Sequence, residues 1–243
     1  MTTILSYLTN GSNFDEGTLL DPKPKRRRRS RHQRRSDLTK QKLLDAARSV
    51  FAEKGLDCTR IDEITERADV GKGTFYYHFG SKAKIVREVM RRVLTELTEA
   101  VEARCEGMVE LPALLDTLIG AHIEFFCSRW EDFVLYFQGR TELTLEEGYP
   151  GIEAPFLEYL ECVERVLASV IHERLPQPVL RRIACAVAGF VSGYYAFAVA
   201  ATPAEDVDEA FRLLRGAMVA TLTRFVQEAM PPAGGTGPRG ADA

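Results

Sequence analysis

Apolar residues in this chain recur at helical spacing almost from end to end, and no stretch alternates with the period of a strand. The first clear run is Leu43, Ala47, Val50 and Phe51. Thr39 stands before it as an N-cap candidate, and Gly55 after it as the residue that ends the helix. A second short helix is predicted from Thr59, with Asp62 three places on as an acidic cap partner and Ile61, Ile64 and Ala68 on one side. A turn, DVGKG at 69–73, precedes a third helix over Thr74–Phe79. Gly80 breaks that helix, and Ser81 is placed to cap the long one that follows. Beyond it the pattern predicts helices over 82–105, 112–128, 131–139, 154–174, 178–200 and 206–229, with prolines between them.

The ends of the chain have no such pattern. Residues 1–22 are polar, and residues 23–36 hold nine Lys and Arg with no acid. Charges of one sign at that density repel and bury no apolar surface, so a disordered basic arm is expected over 1–38. The Pro/Gly-rich stretch 230–243 is expected to be a disordered tail. Between lie a small domain over 39–82 and a larger helical one over 83–229. The expected fold is all-α.

Charge sharpens this division. The 243 residues sum to −3, yet the stretch from Lys23 to Lys82 has 17 Lys and Arg against 8 Asp and Glu. That stretch carries +9 and the remainder −12, so only one part of the chain suits a polyanion. The arm itself is open to two readings. One is minor-groove entry, as arginine-rich arms achieve elsewhere; the other is simple attraction to phosphates. The five cysteines are scattered without a C-x-x-C pair, which argues against a zinc site or a disulfide framework and suits small buried residues in a reducing compartment. The N-terminus has no basic segment followed by a long apolar one, so a cytoplasmic location is expected. Residues 183–203 hold no charge and are long enough to span a bilayer, which leaves a membrane anchor as a remote alternative. They are rich in Ala, Gly and Tyr, and Cys185, Gly189 and Gly193 recur every four places. A helix approached closely by a partner helix accounts for them better.

Three short helices with a glycine-containing turn before the third describe a helix-turn-helix, whose last helix enters the major groove of DNA. Lys72, Gly73 and Thr74 fall at that helix's start, where free backbone N–H groups favour phosphate and a glycine permits close approach. The Thr74 methyl and hydroxyl suit a thymine edge or a phosphate. Tyr76, Tyr77, His78 and Lys82 offer donors to phosphates. Phe75 and Phe79, four apart, are the inward pair.

The run from Thr39 to Lys82, and GKGTFYYHFGSK at 71–82 above all, resembles the DNA-binding domain of TetR-family repressors. The resemblance implies that Lys72, Gly73 and Thr74 face bases, that Tyr76, Tyr77, His78 and Lys82 hold phosphates, and that Thr39 and Thr59 touch the DNA backbone. Gly71 departs from the polar residue often found there, which removes a base contact at that position. It also implies a homodimer formed through helices 178–200 and 206–229, a palindromic double-stranded operator, and a small effector that releases the DNA.

The larger domain is rich in rings. His122, Phe126, Trp130, Phe133, Phe137, Tyr159 and Tyr194 are candidates to line a pocket for an apolar or aromatic effector. The competing account is a packed core, since aromatics are what cores are made of. Control by a protein partner, without an effector, is the alternative. No hydrolase, zinc-protease or phosphate-loop motif is present and the four histidines do not cluster, so neither catalysis, a cofactor nor a metal is expected.

Overall fold

The computed structural model describes the backbone of residues 31–143, 148–171, 175–201 and 207–229, and within these the side chains of all but 194–201, 207–213 and 229. Most of the basic arm and the tail over 230–243 therefore lie outside the described residues. Nine helices and no strands are found among those described.

Helix α1 spans Arg31–Lys54, so residues 31–38 are helical and not part of a disordered arm. Arg and Gln are good helix formers, and the arginine charges radiate outward where solvent screens them. Local bonds four residues apart help: the Gln33 amide donates to the Asp37 carboxylate at 3.1 Å, and the Thr39 hydroxyl to the Arg35 carbonyl at 3.0 Å. Thr39 is thus inside the helix and is not its cap. Gly55, at φ +88°, ends α1 in the left-handed region, as its position in the sequence suggests.

Helix α2 (Ile61–Arg67) begins two residues later than expected, where the Glu63 carboxylate accepts from the Arg60 N–H at 2.8 Å. Helix α3 (Lys72–His78) begins two residues earlier than expected. The tight turn between them takes its left-handed residue from Asp69 (φ 53°), not from a glycine; Asp tolerates this conformation better than most residues. Gly71 is extended, and Gly73 lies within α3. Leu43, Ala47, Phe51, Ile64, Phe75, Phe79 and Ile85 close the small three-helix core.

Helix α4 (Lys82–Cys105) has the expected limits, and the Ser81 hydroxyl accepts from the Lys84 N–H at its start. The other helices are α5 (Leu111–Ser128), α6 (Trp130–Glu142), α7 (Glu153–Ile171), α8 (Gln177–Ala201) and α9 (Val207–Ala229). Helix α4 packs on α5, α6 and α7, while α9 lies on α5 and α8. Ile183, Ala184, Val187, Ala188 and Val191 put one side of α8 into the core. The approach of α6 to α4 is tight: a Cβ on Gly139 would lie 2.5 Å from Met90 Sδ. Helix α5 alone among the described helices is long and apolar enough to cross a membrane, but half of it is buried against its neighbours.

The two parts of the chain share one continuous hydrophobic cluster from Leu43 to Val226. Polar contacts reinforce the seam. Asp132, at the start of α6, is fully buried, and both its oxygens face the Arg48 guanidinium of α1 at 2.8 Å. Beside it the Ser49 hydroxyl donates to Glu131 at 3.1 Å. Removing one partner of such a pair strands a buried charge. Arg48→Met should therefore cost about 3–5 kcal/mol, and adding Asp132→Leu should restore most of it. Urea unfolding of both variants measures this; an equally unstable double variant would show that the charge pair is not what matters at this seam.

Candidate nucleic-acid interface and helical core

Phe75 and Phe79 are both buried, and their rings lie 5.7 Å apart. That pair fixes the rotation of α3 and so decides what it displays. Tyr77 is 76% exposed and Tyr76 52%; Lys72 and Gly73 are also exposed, and Thr74 and His78 are half-buried. The Tyr77 and His78 rings meet edge to face at 5.0 Å. Lys72 Nζ rests 2.5 Å from an Asp62 oxygen, so α2 holds this cation at the start of α3. A Cβ on Gly73 would meet nothing within 4 Å. The fold does not require glycine there, although glycine inside a helix costs roughly 1 kcal/mol relative to alanine.

Three residues assigned to DNA by resemblance are placed differently. Thr59 is buried, and its hydroxyl donates to the Gly55 carbonyl at 2.7 Å, bracing the α1–α2 turn. It has no face to offer DNA. Thr39 is half-buried, with its proton committed to Arg35. Lys82 donates to the Asp57 carbonyl at 2.8 Å and lies 6.0 Å from the Tyr149 ring centre, and burial pushes its pKa down. It is a fastener between elements more than a free phosphate ligand.

Tyr149 was invisible to sequence reasoning. From the segment between α6 and α7 its hydroxyl bonds the Leu56 carbonyl at 3.1 Å and the Asp57 carboxylate at 3.0 Å. Only its place before Pro150 in a loop marked it, and that signals a turn. With Asp132 at the start of α6, this gives the larger domain a second attachment to the helix-turn-helix domain.

In the larger domain the candidate pocket rings separate into two groups. Phe126, Phe133, His122 and Tyr159 are buried. The Phe126 ring lies 5.6 Å from Phe133 and 5.1 Å from Tyr136, and Tyr136 lies 6.3 Å from Tyr159. Trp130 and Phe137 are on the exposed side of α6, in sequence with Phe133. The Tyr194 side chain lies outside the described residues. His122 donates through Nδ1 to the Leu118 carbonyl, which leaves Nε2 to accept from the Tyr159 hydroxyl; both distances are 2.6 Å. A cleft of about 240 Å³ opens between α4 and α7, and Tyr159 is the one candidate ring on its wall. Leu94 and Pro155 share its floor, while Arg91, Thr95, Glu158 and Arg165 stand at its rim.

The cysteines also divide. Cys105 and Cys162 are buried, which pushes their thiols up to about 11 and about 12. Cys58, Cys127 and Cys185 are exposed, against the expectation of burial.

A short helix anchored by two phenylalanines, presenting cation, glycine and hydroxyls outward after a tight turn, has the form of a helix-turn-helix. Residues 43–89 match the profile of the bacterial regulatory proteins of the tetR family. Over these residues the chain carries that family's N-terminal domain pattern. It is similar to the HTH-type transcriptional regulator YvdT of Bacillus subtilis, at 30% identity over 131 residues, covering 54% of this chain and 66% of the relative. It is also similar to the A-factor receptor protein of Streptomyces griseus, at 33% over 135 residues, covering 56% and 45%. The matched stretches thus span less than two thirds of either relative's length. A solved transcriptional regulator from Rhodococcus sp. Rha1 shares the fold, with a TM-score of 0.60 at 18% identity over 78% of this chain and 96% of that one.

Burial lowers the His122 pKa from 6.5 to about 4. The unfolded chain therefore takes up a proton that the folded one refuses, and stability is lost as pH falls from 6.5 toward 4. By pH 5 the loss reaches about 2 kcal/mol. Urea midpoints at pH 7 and pH 5 should fall less far for His122→Gln than for the wild-type chain; equal falls would remove His122 from the account.

Proposed function

We propose that the chain is a cytoplasmic homodimeric repressor that occupies a palindromic operator and leaves it when a small molecule enters the helical domain. The observation that carries the DNA reading is the anchored α3. With Phe75 and Phe79 inward, Lys72, Gly73 and Thr74 face bases, while Tyr76, Tyr77 and His78 reach phosphates. Gly73 supports this further, because its missing side chain serves no packing within the chain and suits close approach to a base edge. Lys72 reads DNA by leaving Asp62, so the acid holds the side chain extended until a base replaces it.

Dimerisation uses α8 and α9. Cys185, Ala186 and Gly189 on α8, and Gly216, Ala217 and Ala220 on α9, form exposed small-residue faces, with Phe225 exposed beside the latter. Small residues let two helices and their symmetry mates approach closely in a four-helix contact. Two α3 helices related by that two-fold meet half-sites a whole number of helical turns apart.

The effector enters the α4–α7 cleft. Its apolar floor and polar rim suit a compact molecule with an apolar body and a polar end, which modifies the purely apolar ligand expected from the rings. Helix α4 forms one wall and begins where α3 ends, and Asp132 of α6 and Tyr149 before α7 both hold to the helix-turn-helix domain. A ligand that prefers a shifted α4 or a displaced Tyr159 therefore changes the spacing of the recognition helices, and effector and operator oppose each other through one equilibrium. The close ring packing of Phe126, Phe133 and Tyr136 favours a second reading, in which a protein partner provides the control and no small molecule enters.

Selection of bound duplexes from a random pool, repeated over a salt series, tests the DNA reading; a palindromic consensus is expected, and enrichment of no sequence would overturn it. On that consensus, Tyr77→Ala should weaken binding to all sequences, whereas changes at Lys72 or Thr74 should alter preference among them by about 1–3 kcal/mol per base pair. Unchanged affinity in Tyr77→Ala would mean that α3 is not the recognition helix.

A further inference from the structure

Among the described residues, the first turns of α1 are a strongly basic element that the recognition helix does not explain. Arg31, Arg34 and Arg35 are all exposed and helical. With Leu38 and Lys42 they recur at i, i+3, i+4, i+7 and i+11, which places them on one side of α1. The buried stripe of Leu43, Ala46, Ala47 and Val50 lies about 110° around the helix from it, at roughly 100° per residue, so the basic face stays clear of the core. Arg48, Arg67, Arg92, Arg104, Arg129 and Arg165 each face a carboxylate. Among the described residues no ion pair engages Arg31, Arg34 or Arg35.

Position gives these charges a target. Lys40 lies with Nζ 5.8 Å from the Phe79 ring centre and 3.9 Å from Glu88, so α1 passes the C-terminal end of α3 there. From that point the helix runs on to Arg31, about 14 Å further at roughly 1.5 Å per residue. It leaves the domain beside the end of the recognition helix.

Helicity also limits what the extension can do. An α-helix with its side chains is about 10–12 Å across, whereas the minor groove is about 6 Å wide. Residues 31–38 cannot thread that groove as an extended arm does. We propose that this extension is a second DNA contact, in which Arg31, Arg34 and Arg35 lie along backbone phosphates flanking each half-site and lengthen the footprint without reading sequence. The proposal rests on the DNA reading given above. Arg31 and Arg35 are one turn apart, about 6 Å along the axis, on a rigid support, so their charges are aligned before binding.

The test uses the full chain with Arg31→Gln, Arg34→Gln and Arg35→Gln combined, its Lys counterpart at the same positions, and Tyr77→Ala, on the selected operator with long flanks. Gln keeps the helix and removes the charge; Lys keeps the charge. The slope of log affinity against log salt should fall by about 3 per protomer in the Gln variant, at about 0.9 per phosphate lost, and should stay near wild type in the Lys variant. The selected consensus should be unchanged, and the hydroxyl-radical footprint should shorten at both outer edges. A wild-type slope and footprint in the Gln variant would overturn the proposal while Tyr77→Ala still loses binding. Wild-type binding by Tyr77→Ala would instead overturn the placement of α3, and a Gln variant that lost the consensus would show the arginines reading bases, contrary to the proposal.

Discussion

The arrangement of the two parts of the molecule depends on a buried carboxylate. Asp132 has no solvent, and burial pushes its pKa up while the Arg48 and Arg129 charges pull it back. Desolvating such a group costs several kcal/mol, and only well-made partners offset that cost. Arg48 supplies them from α1 with both oxygens in reach, and α6 cannot slide along α1 without breaking that geometry. The network continues outward: Arg129 bonds Glu96 of α4, and Glu96 faces Arg92, which reaches Asp45 of α1 at 2.6 Å. Three helices are thereby held in one register around one buried charge.

Helix α6 joins the two ends of the molecule. Its first turn holds Asp132, and the segment after it holds Tyr149 against Leu56 and Asp57. Between these attachments Phe133 and Tyr136 pack into the ring cluster of the helical domain. Tyr159 belongs to that cluster, to the His122 pair and to the wall of the α4–α7 cleft. A displacement at the cleft therefore meets a stiff, densely packed path toward the α1–α2 turn. Packed interiors switch between arrangements more readily than they deform smoothly, which suits an all-or-none response.

The helix-turn-helix was legible because each of its signals is local. Period-3.6 apolar positions, Ser81 before α4 and the Phe75–Phe79 spacing all act within a few residues, and the limits of α4 follow directly from them. Residues whose roles depend on distant partners were not legible. Arg48 and Asp132 are 84 positions apart, and helical spacing says which face a residue occupies without saying what lies against it. Thr59 and Lys82 carry the expected residue types, yet tertiary neighbours take up their polar atoms. The helicity of residues 31–38 is hidden behind their charge density, because arginines on an exposed helix stay apart and solvated and intrinsic propensity decides. The ring-rich domain was ambiguous in sequence for a simple reason: a pocket wall and a core are built from the same side chains.

The Arg48–Asp132 pair also bears on how such a protein can change over generations. A helix-turn-helix domain and the helical domain behind it look interchangeable, and recombination at the start of α4 would be the natural cut. Here that cut would separate a cation from its only buried counter-charge. A chimera inheriting Asp132 without Arg48 keeps the buried carboxylate with Arg129 at 3.6 Å but without the guanidinium that reaches both its oxygens. The two positions must therefore drift together, and the boundary across which segments can be traded lies beyond α6, not at the edge of the DNA-binding domain.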